Sequence, residues 1–332
     1  VLGVPKENGE MDNLISTTEV EFAVRVNDGH NNFKYAFNFN KASTINNLNF
    51  DLAGTVGYAF KPSKKFKDFK FERVELPNYL PEDNKFKAKL TIELDVEKLE
   101  ASFTAETVLQ GLLRQTFANS LLTMKDYGYE NDFSMFDQIK LNRYYNRLQA
   151  KDEERRKEYM RNWIREDYEL SKYEHFELKS TGFENGDHSL RFNERYVVSD
   201  LIRTTGANDE YLVVDLGKTI TGQVALLQEH EKRENDILVD FPKQYEYKIY
   251  LNIPSGYRPL NLQDFKKEID TEAGTFKTNF ELIEVGEGKV IRLYSSKSYN
   301  TTFLPKTQWN EMKAFLDGAY EFSQLQLILE KE

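Results

Sequence analysis

A strict alternation of apolar and polar side chains runs through residues 85–95 and constrains the fold more than any other feature of the sequence. The apolar members are Phe86, Ala88, Leu90, Ile92 and Leu94, and the residues between them are Lys, Thr, Glu or Asp. Successive side chains of a strand point to opposite faces, so the pattern predicts a strand with one buried and one solvated face. Residues 245–253 repeat the same period. Antiparallel sheet should therefore dominate the protein.

Shorter patterns of the same kind predict more strands, and one region breaks the period. The further strands are expected in residues 20–26, 33–39, 48–60, 99–105, 189–198, 211–215, 274–284, 289–295 and 325–329, the first two as a hairpin with one apolar face. Between residues 111 and 174 the apolar spacing changes to three and four, which predicts helices over 111–124, 133–148 and 151–174. A last amphipathic helix is expected after Pro305.

This order of elements predicts an α+β protein, in which antiparallel β-sandwich-like domains flank a helical segment and a C-terminal helix packs on the second sheet. We expect an antiparallel β domain over residues 1–110 and a helical segment over 111–180. Residues 181–332 should form a β-sandwich domain with the C-terminal helix and a closing strand. A chain of 332 residues is long enough for two or three domains.

Composition excludes several kinds of protein. The chain carries 55 Asp and Glu against 45 Lys and Arg, a net charge of −10, which argues against nucleic-acid binding because phosphate backbones select basic surfaces. No apolar run approaches the 18 or so residues of a transmembrane span, so none is expected. The absence of cysteine excludes disulfides, thiolate nucleophiles, Cys-ligated zinc and iron–sulfur clusters.

Three short motifs resemble functional sites but lack a required residue or context. His230–Glu234 approaches the zinc-binding helix motif, yet its fifth position is Glu234 instead of the second histidine. Leu216–Thr219 ends like a phosphate-binding loop, yet Leu212 stands where that loop needs glycine. Asp187 and His188 lie in a segment whose composition is typical of a turn. We therefore expect surface or structural turns, and no catalytic residue, cofactor or metal site.

Aromatic side chains are the remaining candidates for a binding surface. Trp163 and Trp309 lie on the apolar stripes of predicted helices, where core packing is the expected role. The candidate surface contacts are four tyrosines of the helical segment, Tyr127, Tyr129, Tyr144 and Tyr145.

The residues after 210 contain several segments whose order and spacing resemble a known family. These are Tyr211–Gly217, Ile253–Tyr257, Gly274–Phe280, then Pro305, Trp309, Phe315, Leu316, Ala319, Leu327, Ile328, Leu329 and Lys331. Residues 90–114, a hairpin followed by Gly111 and a helix, are similar to a segment of the same family. The family comprises large bacterial envelope proteins of the Bacteroidetes type, with an N-terminal β domain, a transglutaminase-like core and a C-terminal β region.

The resemblance implies a parent protein with a Cys-His-Asp core upstream, located in the periplasm or at the cell surface. That core is absent from this chain, which has no cysteine and no histidine in a matching motif. The implied function is a non-catalytic accessory region that gives structural support or contacts a protein or ligand. Its partners would be the upstream core or another envelope protein.

Two other functions remain open. The chain could be a self-contained carbohydrate- or protein-binding β-sandwich module of the envelope, which an exposed aromatic row on a sheet face would favour. It could also be an unrecognised carboxylate-dependent hydrolase. A deep pocket holding two acids with raised pKa values would favour the hydrolase.

Overall fold

The protein is an α+β structure in which strands outnumber helices. The computed structural model describes residues 2–3, 21–27, 33–37, 52–62, 69–127, 138–184, 188–227, 232–286 and 288–332. The strands are β1 (Leu2–Gly3), β2 (Glu21–Asn27), β3 (Phe33–Phe37), β4 (Val56–Pro62), β5 (Phe69–Glu75), β6 (Lys85–Asp95), β7 (Glu100–Leu109), β8 (Leu170–Ser180), β9 (Leu190–Val198), β10 (Ile202–Thr205), β11 (Tyr211–Val214), β12 (Ile237–Leu238), β13 (Lys243–Ile253), β14 (Tyr257–Pro259), β15 (Lys267–Asp270), β16 (Gly274–Val285), β17 (Gly288–Tyr299), β18 (Phe303–Leu304) and β19 (Leu327–Lys331). The α-helices are α1 (Gly111–Leu121), α2 (Gln138–Asp167) and α3 (Trp309–Ser323).

An eight-stranded sheet forms the centre of the molecule, in the order β15-β16-β17-β13-β6-β7-β9-β8. Neighbouring strands run antiparallel except for β6 and β13, which run parallel. The alternation in β6 is confirmed, because Phe86, Ala88, Leu90 and Ile92 are buried. Leu94 is half-buried near the end of the strand.

Helices α2 and α3 both pack on the face of this sheet to which the apolar residues of β6 point. Trp163 of α2 meets Phe86 edge to face at 6.3 Å between ring centroids. Phe315 of α3 meets Tyr299 in the same way at 5.1 Å. The predicted C-terminal helix and its apolar stripe are therefore confirmed, with Trp309, Met312, Phe315, Ala319 and Phe322 buried.

Two smaller sheets accompany the large one, besides the short pair β12 and β18. A five-stranded sheet has the order β3-β2-β1-β4-β5, and a four-stranded sheet has the order β10-β11-β19-β14. The predicted closing strand, β19, is hydrogen-bonded on both sides, to β11 and to β14. Leu327 and Leu329 of β19 are fully buried.

The helical segment differs from the prediction. The helices expected over residues 133–148 and 151–174 are one continuous helix, α2, while residues 133–137 lie outside the described part of the chain. The helix ends at Asp167, and residues 170–174 open strand β8. Within the described ranges, no helix is long and apolar enough to cross a membrane.

The N-terminal hairpin pairs as predicted, but its apolar valines point to the solvent. Val24 and Val26 are 62% and 51% exposed. Arg25 lies between them on the other face, where its guanidinium stands 3.5 Å from the centroid of the Phe33 ring and forms an ion pair with Glu72. The stacking and the ion pair hold the arginine inward, and this register places the valines outward.

The large sheet combines strands from all three predicted ranges. Strands β6 and β7 come from residues 1–110, and β8 lies within the segment 111–180 that was expected to be helical. The other five strands come from residues 181–332. The hydrogen-bonded ladder thus continues across the expected boundaries near residues 110 and 180. That the three ranges fold as separate domains stays a prediction.

The segment Leu216–Thr219 is a single turn of 3-10 helix, as expected for a structural turn. A Cβ atom on Gly217 would lie 2.2 Å from the carbonyl oxygen of Phe322 at the end of α3. The Gly217 amide also donates to the carbonyl of Leu325 at 3.0 Å. The glycine is therefore explained by close packing of the turn against the connection between α3 and β19.

The two faces of β6 should respond differently to truncation. Replacing Ile92, which is fully buried, by Ala should lower the free energy of unfolding by about 2–5 kcal/mol, since a cavity forms. Lys89→Ala removes only an exposed ion pair with Glu106, so its cost should be about 0.5 kcal/mol or less. Urea unfolding of both variants measures the difference. Similar costs at the two positions would contradict the burial of one face only.

Gly217→Ala should destabilise the protein by about 1–3 kcal/mol, because the added methyl group would meet backbone that cannot move without shifting α3. Gly288→Ala is the matched control. A Cβ there meets nothing closer than 3.5 Å, so the change should cost well under 1 kcal/mol. Thermal unfolding compares the two variants, and an unchanged melting temperature for Gly217→Ala would refute the packing role.

Candidate functional site

An acidic side chain occupies an inward position of strand β9. The residues Leu190, Phe192, Tyr196 and Val198 alternate along one face of the strand and are buried. Glu194 has the same parity, so it points the same way and is 3% exposed. Its cross-strand neighbours are Ala105 on β7 and Phe176 on β8, neither of which can neutralise a charge.

Burial raises the pKa of Glu194 to about 8, because removal from water disfavours the charged carboxylate. The Tyr173 hydroxyl donates a hydrogen bond to Oε1 of Glu194 at 2.9 Å, which offsets a part of this effect. At pH 7 the carboxyl group is therefore mostly protonated and neutral. A protonated carboxyl can both donate and accept a hydrogen bond.

Glu194 lines a cavity between α2 and the large sheet. The cavity has a volume of about 50 Å³, room for about two water molecules at roughly 30 Å³ each. The lining residues are Phe86, Ala88, Leu90, Ala105, Thr107, Trp163, Ile164, Asp167, Tyr168, Glu194, Tyr196, Thr219, Thr221 and Tyr247. They come from strands β6, β7, β9 and β13, from the segment that contains Thr219 and Thr221, and from the end of α2. The cavity therefore exists only in the assembled fold.

The cavity opens at the end of α2. Trp163, Asp167 and Thr221 are half-buried, whereas the other lining residues are buried. Burial raises the pKa of the Asp167 carboxyl, with a smaller increase from Glu166 and an opposing effect from Lys218. The mouth and the interior of the cavity thus each carry one acid whose pKa is raised.

Three tyrosines line the interior, and two of them have hydrogen-bond partners. The Tyr168 hydroxyl donates to the carbonyl of Lys218 at 3.1 Å, and the Tyr247 hydroxyl lies 3.2 Å from Oγ1 of Thr221. The Tyr196 ring stacks on Phe103 at 4.9 Å. Burial raises the pKa of all three tyrosines, so each hydroxyl keeps its proton.

The two tryptophans take the expected core positions, and one also contributes to the site. Trp309 is 6% exposed and belongs to the core. Trp163 is half-buried and packs against Phe117 at 5.2 Å between ring centroids as well as against Phe86. The indole of Trp163 therefore forms one wall of the cavity and part of its mouth.

The predicted surface tyrosines do not line this cavity. Tyr127 is half-buried, with its ring 5.6 Å from that of Phe183. Tyr144 is 62% exposed on α2. Tyr145 lies in α2, but its side chain, like the whole of Tyr129, is outside the described part of the structure.

Of the described residues in the three motifs that resembled functional sites, only Thr219 lines the cavity. His230 and Asp187 lie outside the described residues, and His188 is exposed. Over the described ranges, no group of three or more His, Asp and Glu side chains is placed to hold a metal ion.

Sequence reasoning identified the β9 strand but missed Glu194 as a site residue. The available signal was an acid at an inward position between Phe192 and Tyr196. Asp167 carried no comparable signal, because charged residues surround it on the helix. Its place at the mouth follows from the end of α2 and the packing of that end on the sheet.

Comparisons with known proteins do not assign the chain to a family. No protein-family model matches the sequence, and no curated protein matches it significantly.

Glu194→Gln should make the stability less dependent on pH. The folded-state pKa of about 8 lies above the ordinary glutamate value of 4.5, so between these pH values the folded state holds a proton that the unfolded state has lost. The wild-type free energy of unfolding should then fall by roughly 1 kcal/mol per pH unit relative to the variant. Urea unfolding at pH 5, 6, 7 and 8 measures this difference.

The control for that experiment is Glu106→Gln, which alters an exposed glutamate of the adjacent strand. Its stability difference from the wild type should stay nearly constant over the same pH range. A constant difference for Glu194→Gln as well would show that the buried carboxyl does not hold its proton.

Proposed function

We propose that the chain is a non-catalytic β-rich module that binds a small ligand in the cavity under α2. The observation that carries this proposal is the convergence of the Glu194 carboxyl and the Tyr196 side chain in an aromatic-lined cavity. The protonated carboxyl of Glu194 can donate and accept hydrogen bonds, so it is suited to bind a polar group of a ligand. A mostly apolar cavity with a few convergent polar groups is typical of small-molecule binding.

The accessibility of the acids favours binding over catalysis. Glu194 is 3% exposed, and its Oε1 atom accepts a hydrogen bond from Tyr173. A general acid or base must come within hydrogen-bond reach of the reacting group of a substrate. Of the two acids among the described lining residues, only Asp167 stands at the mouth, so a polymeric substrate would meet one of these carboxyl groups and not both.

A carboxylate-dependent hydrolase is the second candidate, because one specific observation favours it. Asp167 and Glu194 line the same cavity, and burial raises the pKa of both. Acids with raised pKa values are suited to proton transfer near neutral pH. A substrate small enough to enter the cavity could therefore be hydrolysed there.

The wider setting that we propose is the accessory region of a transglutaminase-like envelope protein, periplasmic or at the cell surface. Its partner would be an upstream core domain or another envelope protein. This proposal rests on the resemblance of the sequence, whose residues Trp309, Phe315 and Ala319 are buried on α3 and Leu327 and Leu329 on β19. Carbohydrate binding stays a prediction for the alternative envelope module.

Ligand-observed NMR with a library of small fragments tests the binding function. We expect fragments that bind the wild type to lose affinity for Ala105→Leu, whose larger side chain fills the cavity. Ala207→Leu makes the same change at an exposed position and should keep the binding. Fragments that bind all three proteins equally would place the binding elsewhere and refute the proposed site.

Activity assays separate the two candidate functions. Hydrolysis of amide, ester and glycoside substrates and acyl transfer should all stay at background with the wild-type chain. Turnover above background that Asp167→Asn abolishes would favour the hydrolase. The Asp264→Asn variant, at an exposed acid, is a control that should leave any such turnover unchanged.

A further inference from the structure

The side chains that line the cavity under α2 favour positive charge. It contains two carboxyl groups, from Asp167 and Glu194, and none of its described lining residues is Lys, Arg or His. The five rings that share the lining are those of Phe86, Trp163, Tyr168, Tyr196 and Tyr247. The faces of aromatic rings carry negative electrostatic potential and attract cations, most strongly where water is excluded.

We infer that the ligand of this cavity is a small organic ammonium ion, bound by the Glu194 carboxylate, the Tyr196 hydroxyl and the surrounding aromatic rings. This inference rests on the proposed binding function and specifies the chemistry of its ligand. An ammonium group would donate hydrogen bonds to Glu194 and Tyr196, and its alkyl chain would lie against Trp163 and Phe86. Asp167 would add a second negative charge at the mouth.

Two cations beside the cavity, Lys218 and Arg161, already have acidic partners. Lys218 forms an ion pair with Asp200, and Arg161 forms ion pairs with Glu154 and Glu158 on α2. The other buried amine on this face of the sheet, Lys297, donates to Oε1 of Gln223 at 2.7 Å. It lies four strands from β9, roughly 19 Å at ~4.8 Å per strand. An ionised Glu194 thus has no counter-ion from the described chain within the cavity.

An anion would fit this lining poorly, because it would face two carboxyl groups and several ring faces, and Lys218 beside the cavity is already paired with Asp200. A neutral ligand would leave the carboxyl groups protonated and would gain nothing from their charge. The volume also limits the ligand. Space for about two water molecules admits an ammonium group and the first carbons of a short alkyl chain, whose remainder would extend through the mouth beside Trp163, and it excludes a sugar chain or a peptide.

Binding of a cation should be coupled to the release of a proton. The titratable groups that face Glu194 are Tyr173 on β8, Tyr196 on its own strand, Asp167 at the end of α2, Tyr168 directly after that helix, and Tyr247 on β13, while Lys218 and Arg161 lie just beyond them. The tyrosines keep their protons below pH 10, because burial raises the pKa of each. Below pH 8 the carboxyl groups are therefore the ones that respond to a bound cation.

The direction of the pH dependence follows from the raised pKa of Glu194. Below a pKa of about 8 the protonated form dominates, and the cation must displace its proton. The apparent affinity should then rise about tenfold from pH 6 to pH 7, and less steeply toward pH 8 and above, where the carboxylate is already ionised.

Isothermal titration calorimetry with butylammonium and with its neutral analogue 1-butanol tests the inference. We expect butylammonium to bind the full chain at pH 8 at least tenfold more tightly than 1-butanol. At pH 7, titrations in two buffers with different ionisation enthalpies should show the release of about one proton. Glu194→Gln should weaken butylammonium binding at least tenfold at pH 8 and abolish most of the pH dependence. Glu106→Gln should behave like the wild type.

The outcomes that would contradict the ammonium ligand differ from those that would contradict the binding function. Equal affinity for the two probes, or butylammonium binding that Glu194→Gln leaves unchanged, would overturn the ammonium ion as ligand. Absence of binding by both probes would overturn it as well. The fragment screen tests the proposed binding function separately. Neutral or anionic fragments that bind the wild type but not Ala105→Leu would support a binding site in the cavity whose ligand is not a cation.

Discussion

The side chain of Asn84 joins three elements on which the rest of the structure depends. It is fully buried, and its Nδ2 atom donates to the carbonyl of Pro242 at 2.9 Å while its Oδ1 atom accepts from the amide of Leu112 at 2.8 Å. Its backbone carbonyl accepts from the amide of Gln244 at 3.0 Å. A single residue thus aligns the starts of β6 and β13 and binds a free amide at the beginning of α1. Gly111 allows this approach, because its φ is +61° and a Cβ would lie 2.2 Å from the carbonyl of Asp83.

The cavity follows from that alignment. Because β6 and β13 run side by side in parallel, Phe86 and Tyr247 stand on one face and form one side of the cavity. Strands β7 and β9 extend the same face and bring Ala105 and Glu194 beneath α2. The raised pKa of Glu194 is therefore a property of the assembled sheet and helix, because strand β9 alone would leave the carboxyl group in water. The proposed ligand would supply a positive charge, which none of the described lining residues provides.

Much of the fold could be predicted from the sequence where one face of an element is buried and the other is solvated. The period of two in β6 and β13 and the stripe of α3 predicted those elements, with their buried faces. Residues 170–174, which open strand β8, were predicted as the end of a helix. The inward residues of the strand, Leu170, Tyr173, Phe176 and Leu178, are spaced by three, three and two, so they do not show the period of two of a regular strand. Irregularities in its pairing with β9 produce this spacing, which imitates a helix. The cavity could not be predicted, since its walls come from segments far apart in the chain and their convergence depends on the parallel pairing.

The pairing of β6 with β13 also has a consequence for the kinetics of folding. Asn84 and Pro242, whose hydrogen bond adjoins this pairing, are 158 residues apart in the sequence. The entropy of closing so long a loop opposes the contact until the intervening segments have collapsed, and folds dominated by distant pairings form slowly. Until then the β6–β7 hairpin has an uncovered edge and an exposed apolar face, which are features that promote association between chains. The pairing of β6 with β13 is thus also the folding step at which aggregation competes most directly with refolding.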